Sequence, residues 1–148
     1  MDLGIGGRDR RAIFSAIRDD WRTPRELFNG LDAEFHFTCD VASSDDNHLC
    51  DRYFTKELDG LTQPWSGVCW LNPPYGPAIY KWLQKAVNES KLGTITVCLL
   101  PARTDTIWFH GLVLPFATDI RFIRRRLCYD GDKTKRAPFP SMIVVFRP

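Results

Sequence analysis

The sequence predicts an α/β domain with a mostly parallel sheet and an antiparallel strand at its carboxyl-terminal edge. Three observations carry that expectation. Apolar, β-branched runs alternate with helical signatures through residues 23–112. One such run, Val68–Leu71, stops abruptly at Asn72-Pro73-Pro74-Tyr75-Gly76. Two further runs, residues 120–127 and Ser141–Phe146, close the chain with no helical pattern between them, as an antiparallel pair would.

The elements follow in order. Ile13, Phe14 and Ile17 share one side of a short helix expected at residues 10–17. Thr23-Pro24-Arg25-Glu26 reads as a capping box, with Thr23 at the N-cap, Pro24 at the first helical position and Glu26 reaching back. Leu27, Phe28 and Leu31 then form the buried stripe. A buried strand is expected at residues 35–42, running into a polar loop. After the Pro-Pro stop, Ile79, Trp82, Leu83, Ala86 and Val87 recur at helical spacing, with Gly93 as the C-cap. Residues 94–100 form a strand ended by Pro101, and residues 104–112 a helix capped by Thr104. In such sheets ligands gather at the carboxyl ends of the strands, which places Asp40, Asn72 and the 101–105 loop on one rim.

The chain has 148 residues, 44% of them hydrophobic and 26% charged, which is the make-up of one globular domain rather than a disordered tail or coiled coil. No apolar run approaches the roughly 20 residues that cross a bilayer, and no secretory signal is visible. Residues 1–20 read as an amino-terminal extension, partly flexible, ahead of a single domain at 21–148. Five cysteines match no disulfide framework and read as reduced thiols of a cytoplasmic protein. Cys39, His48 and Cys50 do not complete a zinc set, so no metal is expected. Residues 32–59 hold eight acids against two bases, a balance of −6, and residues 121–136 hold seven bases against two acids, a balance of +5. The basic segment suits a polyanion or a solvated strand face.

The stretch richest in chemistry is Asn72-Pro73-Pro74-Tyr75. Two prolines after a strand fix the backbone and remove two N–H donors, leaving acceptors beside an amide and an aromatic ring. The Asn72 side-chain oxygen and the Pro73 carbonyl can each accept from an exocyclic amine, while Tyr75 stacks on its heterocycle. The bland alternative is a turn capped by Asn72, with Tyr75 as an apolar edge.

This tetrapeptide resembles the [DN]PPY motif of amino-group methyltransferases that use S-adenosylmethionine. Trp21-Arg22-Thr23-Pro24, Asp40-Val41-Ala42-Ser43, Tyr53-Phe54-Thr55, Asp59-Gly60-Leu61 and Trp65 precede it. Pro101-Ala102-Arg103-Thr104-Asp105-Thr106, Trp108-Phe109-His110 and Phe139-Pro140-Ser141 follow it. Together, over residues 21–148, they are similar to the phage-type, Dam-like DNA N6-adenine methyltransferases.

The resemblance implies a Rossmann-like class I methyltransferase sheet, with its second strand–helix unit reduced by the short span from Asp40 to Asp59. It implies Asn72, Pro73, Pro74 and Tyr75 as catalytic residues acting on an adenine flipped out of double-stranded DNA. Thr23 and Pro24 would hold the methionine end of S-adenosylmethionine, and Asp40, Val41, Ala42 and Ser43 its loop, with Ser43 and Ser44 where the family has glycines. Asp59 and Gly60 would take the cofactor's adenine and Asn72 would border it; the family's ribose acid has no clear counterpart here, and Asp45 and Asp46 are the candidates. S-adenosylhomocysteine is the implied product. Arg103, Arg124, Arg126, Lys133 and Lys135 are the expected DNA contacts. Arg103 and Asp105 could instead pair with each other, and Trp108 and Phe109 belong to the core. Because Asp also occurs at the motif's first position, Asn72→Asp is expected to retain activity. No membrane and no obligate protein partner is expected, and the setting implied is a bacterial cytoplasm, from a phage or prophage. RNA adenine or protein glutamine remain alternative acceptors, and a non-catalytic DNA-binding relic is the alternative of another class.

Overall fold

The computed structural model describes residues 21–131 and 133–148. The helix expected at 10–17 and the extension as a whole lie outside the described residues. Along the chain run α1 (Arg25–Phe35), β1 (Cys39–Asp40), β2 (Val68–Leu71), α2 (Ile79–Ser90) and β3 (Ile95–Pro101). A π-helical stretch (Phe109–Val113) continues into the single turn α3 (Leu114–Phe116), then come β4 (Asp119–Phe122), a 3-10 turn (Tyr129–Gly131) and β5 (Ser141–Phe146).

The five strands form one sheet in the order β1-β2-β3-β5-β4. The first three are parallel, and β5 runs antiparallel to both β3 and β4. The carboxyl-terminal strand is therefore not the edge, as the sequence suggested, but sits between β3 and β4. Its six residues are all buried, as a strand covered on both faces requires, whereas those of β4 are half-buried or exposed. Beyond β1 the sheet gives way to a lone bridge from Asp40 to Tyr53.

Several boundaries differ from the sequence reading. α1 runs on to Phe35 because Phe28, Leu31 and Phe35 make one buried stripe. It ends at His36, which takes the left-handed conformation, so the strand expected from residue 35 shrinks to Cys39–Asp40. The capping box does not form. Pro24 holds the N-cap position without a side-chain bond, and the Thr23 hydroxyl is used elsewhere. The cap of the 104–112 helix is Thr106, whose hydroxyl accepts from the Phe109 amide at 3.2 Å, and not Thr104. The strand expected at 120–127 stops at Phe122, and Arg125 adopts φ 69°, so Arg124 to Arg126 lie on a loop and do not alternate along a strand.

α2 forms as expected, burying Ile79, Trp82, Leu83, Ala86 and Val87. It closes with the Gly93 amide on the Ser90 carbonyl (3.1 Å) and the Thr94 amide on the Glu89 carbonyl (3.1 Å). That pair is a Schellman closure, and it needs the φ of 106° that Gly93 supplies. α2 packs on β3 and β5, while α1 meets β2 through an edge-to-face contact of Phe28 with Trp70 at 5.5 Å. Trp108 and Phe109 are buried in the core.

The topology determines where the site falls. Asp40, Leu71 and Pro101 end parallel strands, Phe122 ends β4, and Ser141, paired with Pro101, begins the antiparallel β5. All five lie at the same rim, so the 101–106 and 123–140 loops gather beside Asn72.

Candidate functional site

A cavity of about 410 Å³ opens at this rim. Its wall includes Thr23, Asp40, Ala42, Ser43, Asp59, Gly60, Asn72, Pro73 and Pro74, nine residues that the sequence assigned to cofactor or catalysis. The volume is that of an ordinary small-molecule site.

Asn72 follows β2 directly. Its Nδ2 donates to the Trp21 carbonyl and to the Thr23 hydroxyl, the latter at 3.1 Å. A backbone carbonyl can only accept, so the amide's orientation is decided by the network. Oδ1, the remaining end, is buried and has no partner among the described residues. Asp40 Oδ1 and Trp70 Nε1 are likewise buried and without a partner among the described residues, and both residues line the same cavity. Buried polar atoms are nearly always hydrogen-bonded. Two acceptors and a donor left open around one cavity are a set that the polar atoms of a ligand would complete.

Asp40 ends β1, and its other oxygen accepts from the Leu49 amide at 3.0 Å. Burial pushes its carboxyl up from the usual 3.8 to about 7, against the opposing pull of the Leu49 and Ala42 amides. The loop after it is closed by serines rather than glycines. Ser43 donates through both its amide and its hydroxyl to the Phe54 carbonyl, each at 3.0 Å, and the Ser44 hydroxyl donates to Asp46 at 2.7 Å. Gly60 closes the opposite wall, where a Cβ would stand 2.1 Å from the Val41 carbonyl oxygen. Asp59 beside it is exposed with φ 54°, and one of its oxygens accepts from the Leu61 amide at 3.1 Å. Val41 is itself wholly buried, and Pro24 starts α1; neither lines the cavity.

Tyr75 is also outside that lining. It is buried with Tyr129 and Phe139 in an aromatic cluster that Trp21 joins edge-on. Its hydroxyl donates to the Leu99 carbonyl at 3.3 Å and meets the Tyr129 hydroxyl at 3.2 Å, which in turn meets Ser141 at 2.9 Å. Burial holds the Tyr75 phenol far above its ordinary range, so it stays protonated.

Of the two candidate ribose acids, Asp46 lines the cavity and Asp45 instead accepts from the Tyr53 hydroxyl at 2.8 Å. Asp46 also takes an ion pair from Arg22 at 3.1 Å. Sequence reasoning gave no site role to Arg22, Asn47, Leu49, Phe54 and Trp82 on the wall: Arg22 and Phe54 stand in the motifs quoted above without a role of their own, and the other three are loop or helix-face residues outside any motif. His48 does not turn toward a metal: its ring stacks on Tyr53 at 3.8 Å, and Nδ1 meets the Cys50 carbonyl. Burial pushes the Cys39 thiol up to about 11 and that of Cys50 to about 12. Among the described residues no group of three or more metal-ligating side chains converges, and no described helix is long and apolar enough to cross a membrane.

The basic residues divide. Arg121 is committed to Glu34 (2.7 Å) and Asp119 (2.8 Å) and lies over the Phe35 ring. Arg124, Arg125 and Arg126, with Lys133, Lys135 and Arg136, are exposed on the 123–140 loop. That loop is pinned at its neck by the Ala137 amide on the Leu127 carbonyl (2.8 Å) and the Ile123 amide on the Ser141 carbonyl (3.0 Å). Lys133 approaches Glu26 at 3.8 Å with both side chains almost fully exposed. Arg103 lies over the Phe139 ring at 5.8 Å, next to the aromatic cluster.

Residues 11–148 match the sequence model of a family described as DNA N-6-adenine-methyltransferase (Dam). The chain is similar to a DNA N-6-adenine-methyltransferase of Haemophilus phage HP1, 29% identical over 139 residues, which cover 88% of this chain and 80% of the relative. It is similar also to a protein of the same description from Escherichia phage T1, 35% identical over 98 residues. That alignment covers 64% of this chain but spans only 40% of the T1 protein's length.

Proposed function

Since the chain belongs to the DNA N-6-adenine-methyltransferase (Dam) family, we propose that it transfers a methyl group from S-adenosylmethionine to the N6 amino group of adenine in double-stranded DNA. The sheet is then a Rossmann-like class I methyltransferase sheet with its second strand–helix unit reduced to the Asp40–Tyr53 bridge. The observation that carries the reading is the Asn72 amide, whose Nδ2 is fully engaged while Oδ1 stands buried and open beside Pro73 and Pro74.

The donor set fits the cofactor. Asp46 supplies negative charge to a cationic ligand, Asp40 a buried carboxyl that a cation beside it would favour in ionised form, Asp59 keeps acceptor capacity for an adenine amine, and Trp82 and Phe54 supply aromatic wall. When bound, S-adenosylmethionine supplies an activated methyl group, and the protein's task is to present the amine to it.

Asn72 Oδ1 accepts one N–H of the target amine and the Pro73 carbonyl accepts the other, which leaves the nitrogen lone pair free. Acceptors held in place beforehand favour the positive charge that develops on this nitrogen. The methylated amine sheds its proton to water without a strong general base. A paired base cannot reach this wall, so the adenine must leave the helix, while Tyr75, buried in its aromatic cluster, supports the loop from behind instead of stacking on the base. The exposed 123–140 loop and Arg103 meet phosphates at the same rim. As for setting, the reading is of a phage- or prophage-borne enzyme acting on DNA in a bacterial cytoplasm.

Methyl transfer from tritiated S-adenosylmethionine to DNA, RNA and protein, measured side by side, tests this. Label in duplex DNA, recovered as N6-methyladenine after digestion, is the expected result. Label confined to RNA or protein would move the substrate to those classes. Absence of both transfer and cofactor binding would identify a DNA-binding relic.

A further inference from the structure

Asn72 owes its orientation to Trp21 and Thr23, and those two residues flank a third that is clamped from outside. The Arg22 amide donates to Asp130 Oδ1 at 3.1 Å. The Asp130 amide donates back to the Arg22 carbonyl at 3.2 Å. The two bonds form a closed, reciprocal pair across 108 residues of chain. Asp130 can make both only because it adopts φ 63°, a left-handed conformation that Asp, Asn and Gly tolerate best. On its other side Arg22 reaches Asp46 through its guanidinium, and the neighbouring Tyr129 ring sits against Trp21 at 5.4 Å.

We propose that Asp130 is a positioning residue for methyl transfer: by clamping the Arg22 backbone it holds the Trp21 carbonyl and Thr23 hydroxyl in the places that orient the Asn72 amide. The inference rests on the reading of Asn72 given above. Asp130 does not itself line the cavity; it reaches the wall through Arg22, which does. It belongs to the same loop as the exposed Arg124–Arg126 cluster and Lys133. One pair of bonds thereby links the loop that carries these basic residues to the segment that aims Asn72 Oδ1. A carboxylate is not required, since an Asn side-chain oxygen accepts from the same amide; a residue tolerant of positive φ with an acceptor at Oδ1 is.

Two variants separate these requirements. Asp130→Gly keeps the backbone conformation and the bond from the residue 130 amide but loses the acceptor, and Asp130→Asn keeps all three. With duplex DNA and S-adenosylmethionine both saturating, Asp130→Gly should lower kcat by about tenfold or more, since small misplacements of a reacting group are costly. KM for DNA and Kd for cofactor should change little, and Asp130→Asn should restore kcat. The Asn72 side-chain amide, followed by NMR and assigned by its loss in Asn72→Ala, should exchange with water faster in Asp130→Gly and as wild type in Asp130→Asn. Unchanged exchange at Asn72 in Asp130→Gly overturns the proposal whether or not kcat falls, and so does a kcat that stays at the wild-type level. Wild-type protein that fails to methylate adenine overturns the reading of the site instead. The amide exchange would still decide whether Asp130 aims Asn72.

Discussion

The Asn72 side chain donates to the Thr23 hydroxyl at 3.1 Å, and this contact, with the Trp21 carbonyl beside it, decides which end of the amide faces the cavity. The acceptor is turned inward and the donor is used up. An amide so held presents a hydrogen-bond acceptor without rearrangement when an amine arrives.

Asn72→Ala removes that acceptor and leaves the other residues of the cavity wall unsubstituted. Methyl transfer should fall on the order of 10²-fold or more, as when one preorganised hydrogen-bonding group is deleted elsewhere. Cofactor affinity measured by titration should remain close to wild type. Turnover within tenfold of wild type would show that Asn72 Oδ1 is not the acceptor.

Asn72→Asp tests the same contact from the other side. Sequence reasoning expected this exchange to be harmless, because Asp occurs in the motif. In this fold a carboxylate would set an oxygen against the Trp21 carbonyl, where Nδ2 now donates. Losing a buried bond to an unpaired acceptor costs roughly 1–3 kcal/mol, so turnover should drop about tenfold or more. Full activity would mean that residues 21–23 rearrange around the carboxylate.

How much of this was legible in the sequence varies with the range of the interaction. α2 was readable residue by residue, because its buried face and its Gly93 closure are local patterns. The Asn-Pro-Pro-Tyr stop was readable for the same reason. Thr23 was misassigned as a cap: its hydroxyl had two uses, and the partner that won lies 49 positions away. The basic strand was misread because three consecutive arginines give no alternation to test. Arg125 at φ 69° then ends any ladder. Asp130 carried no sequence signal at all, since its meaning comes from Arg22, 108 residues earlier.

Asp59 supplies a test of the cofactor site. One oxygen is spent on the Leu61 amide, so the other is the candidate acceptor for an adenine amine. Asp59→Ala should raise the cofactor's dissociation constant about ten- to a hundredfold, the worth of a hydrogen bond to a charged group. Alanine also strains a backbone at φ 54°, so Asp59→Asn is the sharper variant, keeping the turn while replacing the second oxygen with a donor. It should weaken binding comparably at unchanged melting temperature. Wild-type affinity in Asp59→Asn would remove Asp59 from the site.

Asp40 makes the stability of the ligand-free protein depend on pH. Its folded carboxyl titrates near 7 against an ordinary 3.8 because burial penalises the charge. Between those values the folded chain holds a proton that the unfolded chain has released, so stability falls as pH rises through that window. Melting temperature should therefore drop from about pH 5 to about pH 7.5, and Asp40→Asn should flatten this part of the profile. Parallel profiles for the two proteins would show that Asp40 is ionised in the fold throughout.

The basic loop offers a test of substrate class that does not depend on the cavity. Arg124, Arg125 and Arg126 are exposed side by side on one loop at the rim, so all three are open to a phosphate backbone. Replacing them with Gln should weaken binding to every duplex sequence alike, because phosphates carry no sequence. Each lost contact should flatten the slope of log affinity against log salt by about 0.9, and two or three contacts are expected, because the three arginines lie on a loop and not on a strand that would turn one of them away. Arg121→Gln is the matched control. Its guanidinium is held by Glu34 and Asp119, so the salt slope should not move even though a charge of the same sign is lost. Cofactor affinity should be constant across all four substitutions, since none of these residues lines the cavity. A triple variant with the wild-type slope would make the loop a solvated face and place DNA on the Arg103 side of the rim.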